Sequence, residues 1–357
     1  MSGAPRRVLF DALAARFGGG AHAAAQIALH LARTPAVAAV TVVARRDSIV
    51  AERLAGAEGV SVVQLPAAAA LELPRRVAWE AFRLRALARR ERSDVLLTMT
   101  ALPARVRDAR LVCVFANPVM YETDTAANRL RRRATRRTVR DASYLAAPSS
   151  MMAGLVSDYL GRPCAVLPLG VDHQAFTPAD PPGEEVLCVA DFYAHKRHDV
   201  LLDAWASLPA PRPRLRLIGD PAVDPGTFAR VRERVALLGE GAGEVSIEHR
   251  LPMARLVEAY RAARVFVMPS ERESFCMPLA EAMACGVPAV ARSIESLRET
   301  GGEGALYVRD ADPAVWSAEI ARVLGDGGVH TRLRAAAIAA ASRFSWERCA
   351  AQLSEQL

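Results

Sequence analysis

The 357-residue sequence predicts two doubly wound α/β domains, and three observations carry that expectation. The chain is longer than one hydrophobic core ordinarily serves. Short unbroken apolar runs alternate with helical stretches through both halves, the pattern of parallel strands covered on both faces. Between the halves, "PLGVDHQAFTPADPPGEE" (168–185) breaks the rhythm with Pro, Gly and Asp, and the alternation then restarts. This gives an N-terminal domain over 1–168, a linker over 169–185 and a C-terminal domain over 186–340. A closing helix over 341–357 is free to pack back on the N-terminal domain.

In the first half, "RRVLF" (6–10) reads as a strand and "GGGAHAAAQIALHLA" (18–32) as a turn opening an alanine-rich helix. Strands follow at "AVTVVA" (39–44), "VSVVQL" (60–65), "DVLLTM" (94–99), "RLVCVF" (110–115) and "SYLAAP" (143–148). In the second half they are "VLCVAD" (186–191), "RLRLIGD" (214–220), "EVSIEH" (244–249), "RVFVMPS" (264–270), "PAVAR" (288–292) and "ALYVRD" (305–310). From about Ala314 the tail is helical, with a second start at "FSWERCAAQL". Two such domains facing one another would take a ligand at the carboxyl ends of the strands.

A hydrophobic fraction of 52% supplies real cores, and the net charge of +7 speaks of partners rather than fold. Acidic ligands, anionic lipid and nucleic acid are all open on charge alone. The six cysteines lack metal or redox spacing and read as buried free thiols in a reducing compartment. The N-terminus has no apolar core of a signal peptide, and no run of 18 apolar residues appears, so a cytoplasmic location is expected.

Two stretches could do chemistry. Gly18, Gly19 and Gly20 follow the first strand and open a helix, where backbone N–H groups can face an anion; a flexible turn of small residues is the plain alternative. The second stretch is "PSERESFCMPLAEAMACGVPAVA" (269–291), a strand-to-helix join with Pro278 in the first helical turn. Here Glu273 falls on the loop and Glu281 inside the helix. The amides of Phe275, Cys276 and Met277, after Ser274, point out of the helix start and offer a seat for phosphate. An ionised carboxylate beside that seat accepts hydrogen bonds from sugar hydroxyls, although a lone glutamate is more often a solvated charge.

Taken whole, "ESFCMPLAEAMACGVPAVA" resembles the donor-site signature of retaining glycosyltransferase family 4, which has the GT-B fold. "LGVDHQAFTP" (169–178) is similar to that family's linker, and "VADFYAHKRHDVLLDAWA" (189–206) to the segment whose lysine holds the donor diphosphate. The lysine at that place is Lys196. It is the chain's single lysine among 46 basic residues, so arginine preference did not choose it. Its compact ammonium can sit between two phosphate oxygens, where the planar arginine fork needs a fixed geometry. The resemblance implies Lys196 and Glu273 as catalytic groups. It implies a donor site of Gly19, Gly20, Lys196, Arg197, Glu273, Ser274, Phe275, Cys276, Met277 and Glu281, with Glu281 on the nucleotide ribose and Glu273 on the sugar. No cofactor and no metal are expected, since the lysine and helix start supply the positive potential.

The chain departs from the family at three places: Asp191 stands where an arginine is usual, His249 where glycine is common, and Cys276 where glycine is frequent. The first half resembles the family less and should hold the acceptor. Its candidates are Asn117 and Tyr121 in "VFANPVMYE" (114–122), with His22 beside the glycines. "RLRRRATRRTVR" (129–140) carries seven arginines and no interleaved aromatic, so base stacking is not supported and no nucleic-acid partner is expected. A solvated helix face and a peripheral contact with the inner face of an anionic membrane both remain open there. The resemblance thus implies transfer of a sugar from a nucleotide-diphosphate donor to a hydroxyl of a glycan, glycolipid or small molecule, with retention. Surface-polysaccharide and natural-product pathways are both compatible. A sugar-nucleotide-binding protein without catalysis is the rival, and Asp191 is its main support.

Overall fold

The computed structural model describes residues 4–15, 18–65, 79–99, 106, 109–118, 121, 124–238 and 243–357. The chain divides into two compact units, residues 1–170 with 346–357, and residues 171–345. Most of the stretch read as a linker, 171–185, is therefore part of the second unit, and the last twelve residues belong to the first.

In the first unit the strands are β1 (Arg6–Asp11), β2 (Val37–Arg45), β3 (Val60–Leu65), β4 (Val95–Thr98), β5 (Arg110–Val114), β6 (Tyr144–Ala147) and β7 (Ala165–Val166). They form one parallel sheet in the order β3-β2-β1-β4-β5-β6-β7. Val8, Leu9, Phe10, Leu96, Leu97, Val112 and Cys113 are buried along its central strands, so the unbroken apolar runs lie between two covering layers. One cover is the helix Gly18–Leu31, whose Ala21, Ala23, Ala24, Ala25 and Ala28 are buried and leave room for close approach. Against it packs the final helix, Trp346–Ser354, through the fully buried Trp346.

The second unit repeats the plan. Its strands are β8 (Glu185–Val189), β9 (Leu215–Ile218), β10 (Val245–Glu248), β11 (Ala263–Met268), β12 (Ala289–Arg292) and β13 (Ala305–Val308). Their order is β10-β9-β8-β11-β12-β13, again all parallel. The strand order reverses direction between β8 and β11. At such a switch point the loops leaving neighbouring strands part to opposite faces and open a crevice at the carboxyl ends. Gly219, just after β9, sits so close to the neighbouring loop that a Cβ would fall 2.0 Å from the Ala190 carbonyl oxygen. Only glycine lets the loops after β8 and β9 touch there.

Candidate active site

The chain leaves β8 through Ala190 and Asp191, is pinned by the fully buried Phe192, and makes one 3₁₀ turn at Ala194–Lys196. Arg197 takes a left-handed conformation (φ +52°) that turns the backbone into the helix His198–Ala206. From the adjacent β11 the chain runs through Pro269–Cys276 into the helix Met277–Ala284. The Glu271 N–H donates to the His195 carbonyl at 2.8 Å, which ties the two loops together. Parallel pairing of β8 and β11 thus brings together residues that lie 77 positions apart in sequence: the Lys196 ammonium meets Glu273 Oε1 at 2.6 Å.

Both members of this pair are largely enclosed, with side-chain exposures of 17% and 10%. Burial works against the charge of Lys196, but Glu273 and Asp191 outweigh it and hold the pKa above its ordinary value. At neutral pH the group is an ammonium. A buried charge without a partner is costly, so this pair is each member's main compensation in the absence of ligand.

Glu281 lies inside the helix, and its Oε2 accepts from the Tyr260 hydroxyl at 2.8 Å. Both residues are buried. Sequence reasoning missed Tyr260, which stands on the buried face of an amphipathic helix between Glu258 and Arg261. Phe275 packs edge-on to Phe344 at 5.0 Å, and its carbonyl accepts from the Thr300 hydroxyl at 2.6 Å. Cys276 is left-handed (φ +70°), a conformation that costs a residue with a Cβ more than glycine. Among the described residues no side chain caps the helix start that follows, which leaves its first amides without an intrahelical partner beside the loop carrying Glu273 and Ser274.

Asp191 is held in place by the Asp220 N–H, which donates to Oδ1 at 2.9 Å. Burial raises its pKa, tempered by that hydrogen bond and by Lys196. Arg197, expected on the donor, pairs with Asp199 and Glu271. Arg250 lies 3.8 Å from Asp220, and Lys196 is the cation whose charge reaches Asp191.

In the first unit, Gly19 and Gly20 form the exposed first turn of their helix, as the sequence suggested. His22 does not stay open: its ring meets the Arg53 guanidinium and the edge of Trp346 at 5.9 Å. Burial, then Arg53, pulls its pKa down to about 3, so it is neutral. Tyr121 turns into an aromatic cluster with Phe115 (6.4 Å) and Tyr159 (5.8 Å). Its hydroxyl is buried without a partner among the described residues, and burial raises its pKa. Asn117 is exposed on the loop after β5. Of the acceptor-side candidates, His22 and Tyr121 are therefore occupied by packing within their own unit.

The arginine-rich segment forms the helix Ala126–Thr138. Arg129 and Arg132 pair with Asp124 at 2.9 and 2.6 Å, and Arg136 donates to the Tyr159 carbonyl. Arg132 and Arg136 also stand 5.4 and 5.0 Å over the Tyr159 ring. Arg133, Arg137 and Arg140 are exposed, as is Leu130.

Two parallel α/β units of this order place the chain in the GT-B class. HepE from Anabaena, solved in complex with UDP and glucose, superposes with a TM-score of 0.80 over 98% of both chains at 18% identity. Sucrose-phosphate synthase from Thermosynechococcus elongatus gives 0.79 over 98% of both at 19% identity. Residues 172–342 match the glycosyl transferases group 1 and residues 17–175 match Glycosyltransferase Family 4. The chain belongs to this glycosyltransferase family. Curated relatives include the D-inositol 3-phosphate glycosyltransferases of Thermobispora bispora and Geodermatophilus obscurus. The first is 36% identical over 50% of this chain and 43% of its own length, the second 31% over 68% and 58%. The chain spans about half the length of the curated relatives it matches.

Proposed function

We propose that the protein transfers a sugar from a nucleotide-diphosphate donor to an acceptor hydroxyl with retention of configuration. The observation that carries this reading is the enclosed Lys196–Glu273 pair at the switch point of β8 and β11, beside an uncapped helix start. In the reaction the bond between the anomeric carbon and the diphosphate oxygen breaks, and a bond from that carbon to the acceptor oxygen forms. The acceptor proton leaves with the departing diphosphate or to solvent. Lys196 and the amides of Phe275–Met277 stabilise the charge that builds on the leaving group. Glu273 would accept from sugar hydroxyls and Glu281, fixed by Tyr260, from the ribose. No side chain is assigned as a covalent nucleophile.

The inositol-phosphate relatives and the UDP-bound structural neighbours support a choice of first reagents. UDP-glucose and other nucleotide sugars, offered with D-inositol 3-phosphate, should release nucleoside diphosphate, and proton NMR of the product should show the donor's anomeric configuration. Absence of release across UDP, GDP, ADP and dTDP sugars in a folded protein would favour the non-catalytic binder. The half-buried Asp191 carboxylate is the observation on that side.

Two further outcomes are expected. Among the described residues no group of three or more His, Cys, Asp or Glu side chains is placed to hold a metal ion. With Lys196 supplying the charge, turnover should persist in excess EDTA; strict dependence on Mg²⁺ or Mn²⁺ would require a different leaving-group stabiliser. The second outcome concerns the helix Ala126–Thr138. Each basic residue near an anionic bilayer contributes about 1 kcal/mol. Arg133, Arg137 and Arg140, exposed beside Leu130, should therefore give salt-sensitive co-sedimentation with anionic but not neutral liposomes. Changing these three to Gln should abolish it. Indifference of the native protein to anionic liposomes at low salt would end the membrane reading.

A further inference from the structure

A pocket of about 480 Å³ opens on the second unit between the helices His198–Ala206 and Pro225–Leu237, and the reaction proposed above makes no use of it. Its walls include Tyr193, Arg197, His198, Asp199, Thr227, Arg230 and Arg234, three arginines to one carboxylate, but not Lys196, Glu273 or Glu281. Right-handed crossovers from β8 to β9 and from β11 to β12 run in opposite directions along the sheet, so their helices lie on opposite faces. The packing agrees: His198–Ala206 lies against Pro225–Leu237 and Pro313–Gly325, whereas Met277–Ala284 lies against Gly327–Ala341. The pocket is thus on the far side of the Lys196 loop from Glu281.

Its chemistry is basic and unevenly satisfied. Arg197 is held by Asp199 and Glu271, and Arg234 by Asp203. Arg230 has no ion pair among the described residues; it donates to the Thr227 hydroxyl at 2.7 Å. Asp224, which caps the helix, feels the charge of Arg230 without bonding to it. His198 is 2% exposed, and among the described residues neither ring nitrogen makes a hydrogen bond of good geometry. The Ala190 carbonyl lies near enough to favour its protonated form, but burial dominates and lowers the pKa to about 4. The ring, stacked on Phe192 at 4.7 Å, is therefore neutral, and both its nitrogens are closed off from solvent.

An anion that accepts from Arg230 answers the one arginine of the wall that has no ion pair among the described residues, and the volume suits a ligand of sugar-phosphate size. We infer that this pocket binds a small phosphate monoester and that its occupancy weakens donor binding. The sign of the coupling rests on the donor site proposed above. Arg197 lines the pocket and directly follows Lys196, so a second anion here draws on the same loop and repels a diphosphate across it.

The probe is glucose 6-phosphate, titrated calorimetrically at constant ionic strength, with glucose and inorganic phosphate as comparisons. Native protein and Lys196→Ala should bind the ester alike, and glucose should not bind. Arg230→Gln should lose roughly tenfold or more in affinity, the loss of one charged hydrogen-bond donor, while melting near the native temperature. Arg234→Gln, at the exposed rim, gives a second variant that should weaken binding in the same direction. No binding to the native protein, full binding to Arg230→Gln, or loss of binding in Lys196→Ala would each overturn the site. Inorganic phosphate binding as tightly as the ester would overturn the ester assignment. UDP affinity should fall about fivefold when the ester saturates, and an unchanged UDP affinity would overturn the coupling. Failure of UDP to bind at all would count against the donor site while leaving the ester titration to stand or fall alone.

Discussion

Lys196→Ala lowers turnover by about 100-fold or more, the cost of removing one strong contact to charge that develops in the transition state. Steady-state nucleoside diphosphate release measures this. The substitution also removes the partner of Glu273, which is only 10% exposed, so some loss of stability should accompany it. The two effects separate in the double variant Lys196→Met with Glu273→Gln. There no buried charge is left unpaired, and the melting temperature should recover while activity does not. Near-native turnover in a well-folded Lys196→Ala protein would remove the ammonium from the mechanism. In the native protein the charge should persist through the neutral range. The pKa of Lys196 is raised in the fold above 10.5, so the stabilisation it contributes is fully present below that value. It is lost only as pH rises through the folded pKa.

Glu273→Gln should split binding from chemistry. In the native protein the donor diphosphate must compete with a carboxylate 2.6 Å from the ammonium. With a neutral amide in that place, Lys196 is released to the ligand, and UDP affinity should rise several-fold. The same change weakens the acceptor offered to the sugar hydroxyls, and turnover should fall by about 100-fold. Calorimetry with UDP and single-turnover kinetics test the two halves. Weaker UDP binding in Glu273→Gln would mean that Glu273 assists the diphosphate rather than competing with it.

The rhythm of both sheets was legible because parallel strands buried on both faces must be apolar throughout. Runs such as "VLCVAD" and "RVFVMPS" leave little else to fold into. The short string from Glu273 to Glu281 was legible for a related reason, since loop, helix start and helix interior are contiguous in sequence. What could not be read were the partners chosen across distance. Nothing near Glu281 in sequence announces Tyr260, and nothing near Arg197 says that Glu271 will engage it. His22 has only glycine and alanine beside it in sequence, so a structural role could be expected of it but not its partner; the group that closes on it, Trp346, arrives from the far end of the chain. Tyr121 looked like a cleft residue because it follows a strand, and the cluster that takes its ring depends on Tyr159, 38 positions later (159 − 121). Local pattern fixes elements, and long-range packing then decides which polar groups remain for a ligand.

The solitary lysine has a chemical corollary. Apart from the chain's α-amine, Lys196 carries the one primary amine in a protein otherwise basic through guanidinium groups. Amine-directed acylation can therefore modify this protein at a single internal address, without mutagenesis or tagging. The ammonium is masked by Glu273 at 2.6 Å, so the rate of labelling reports how often that contact opens. A mass shift on the peptide containing Lys196, followed over time with and without nucleotide, turns the scarcity of lysine into a clock for the site.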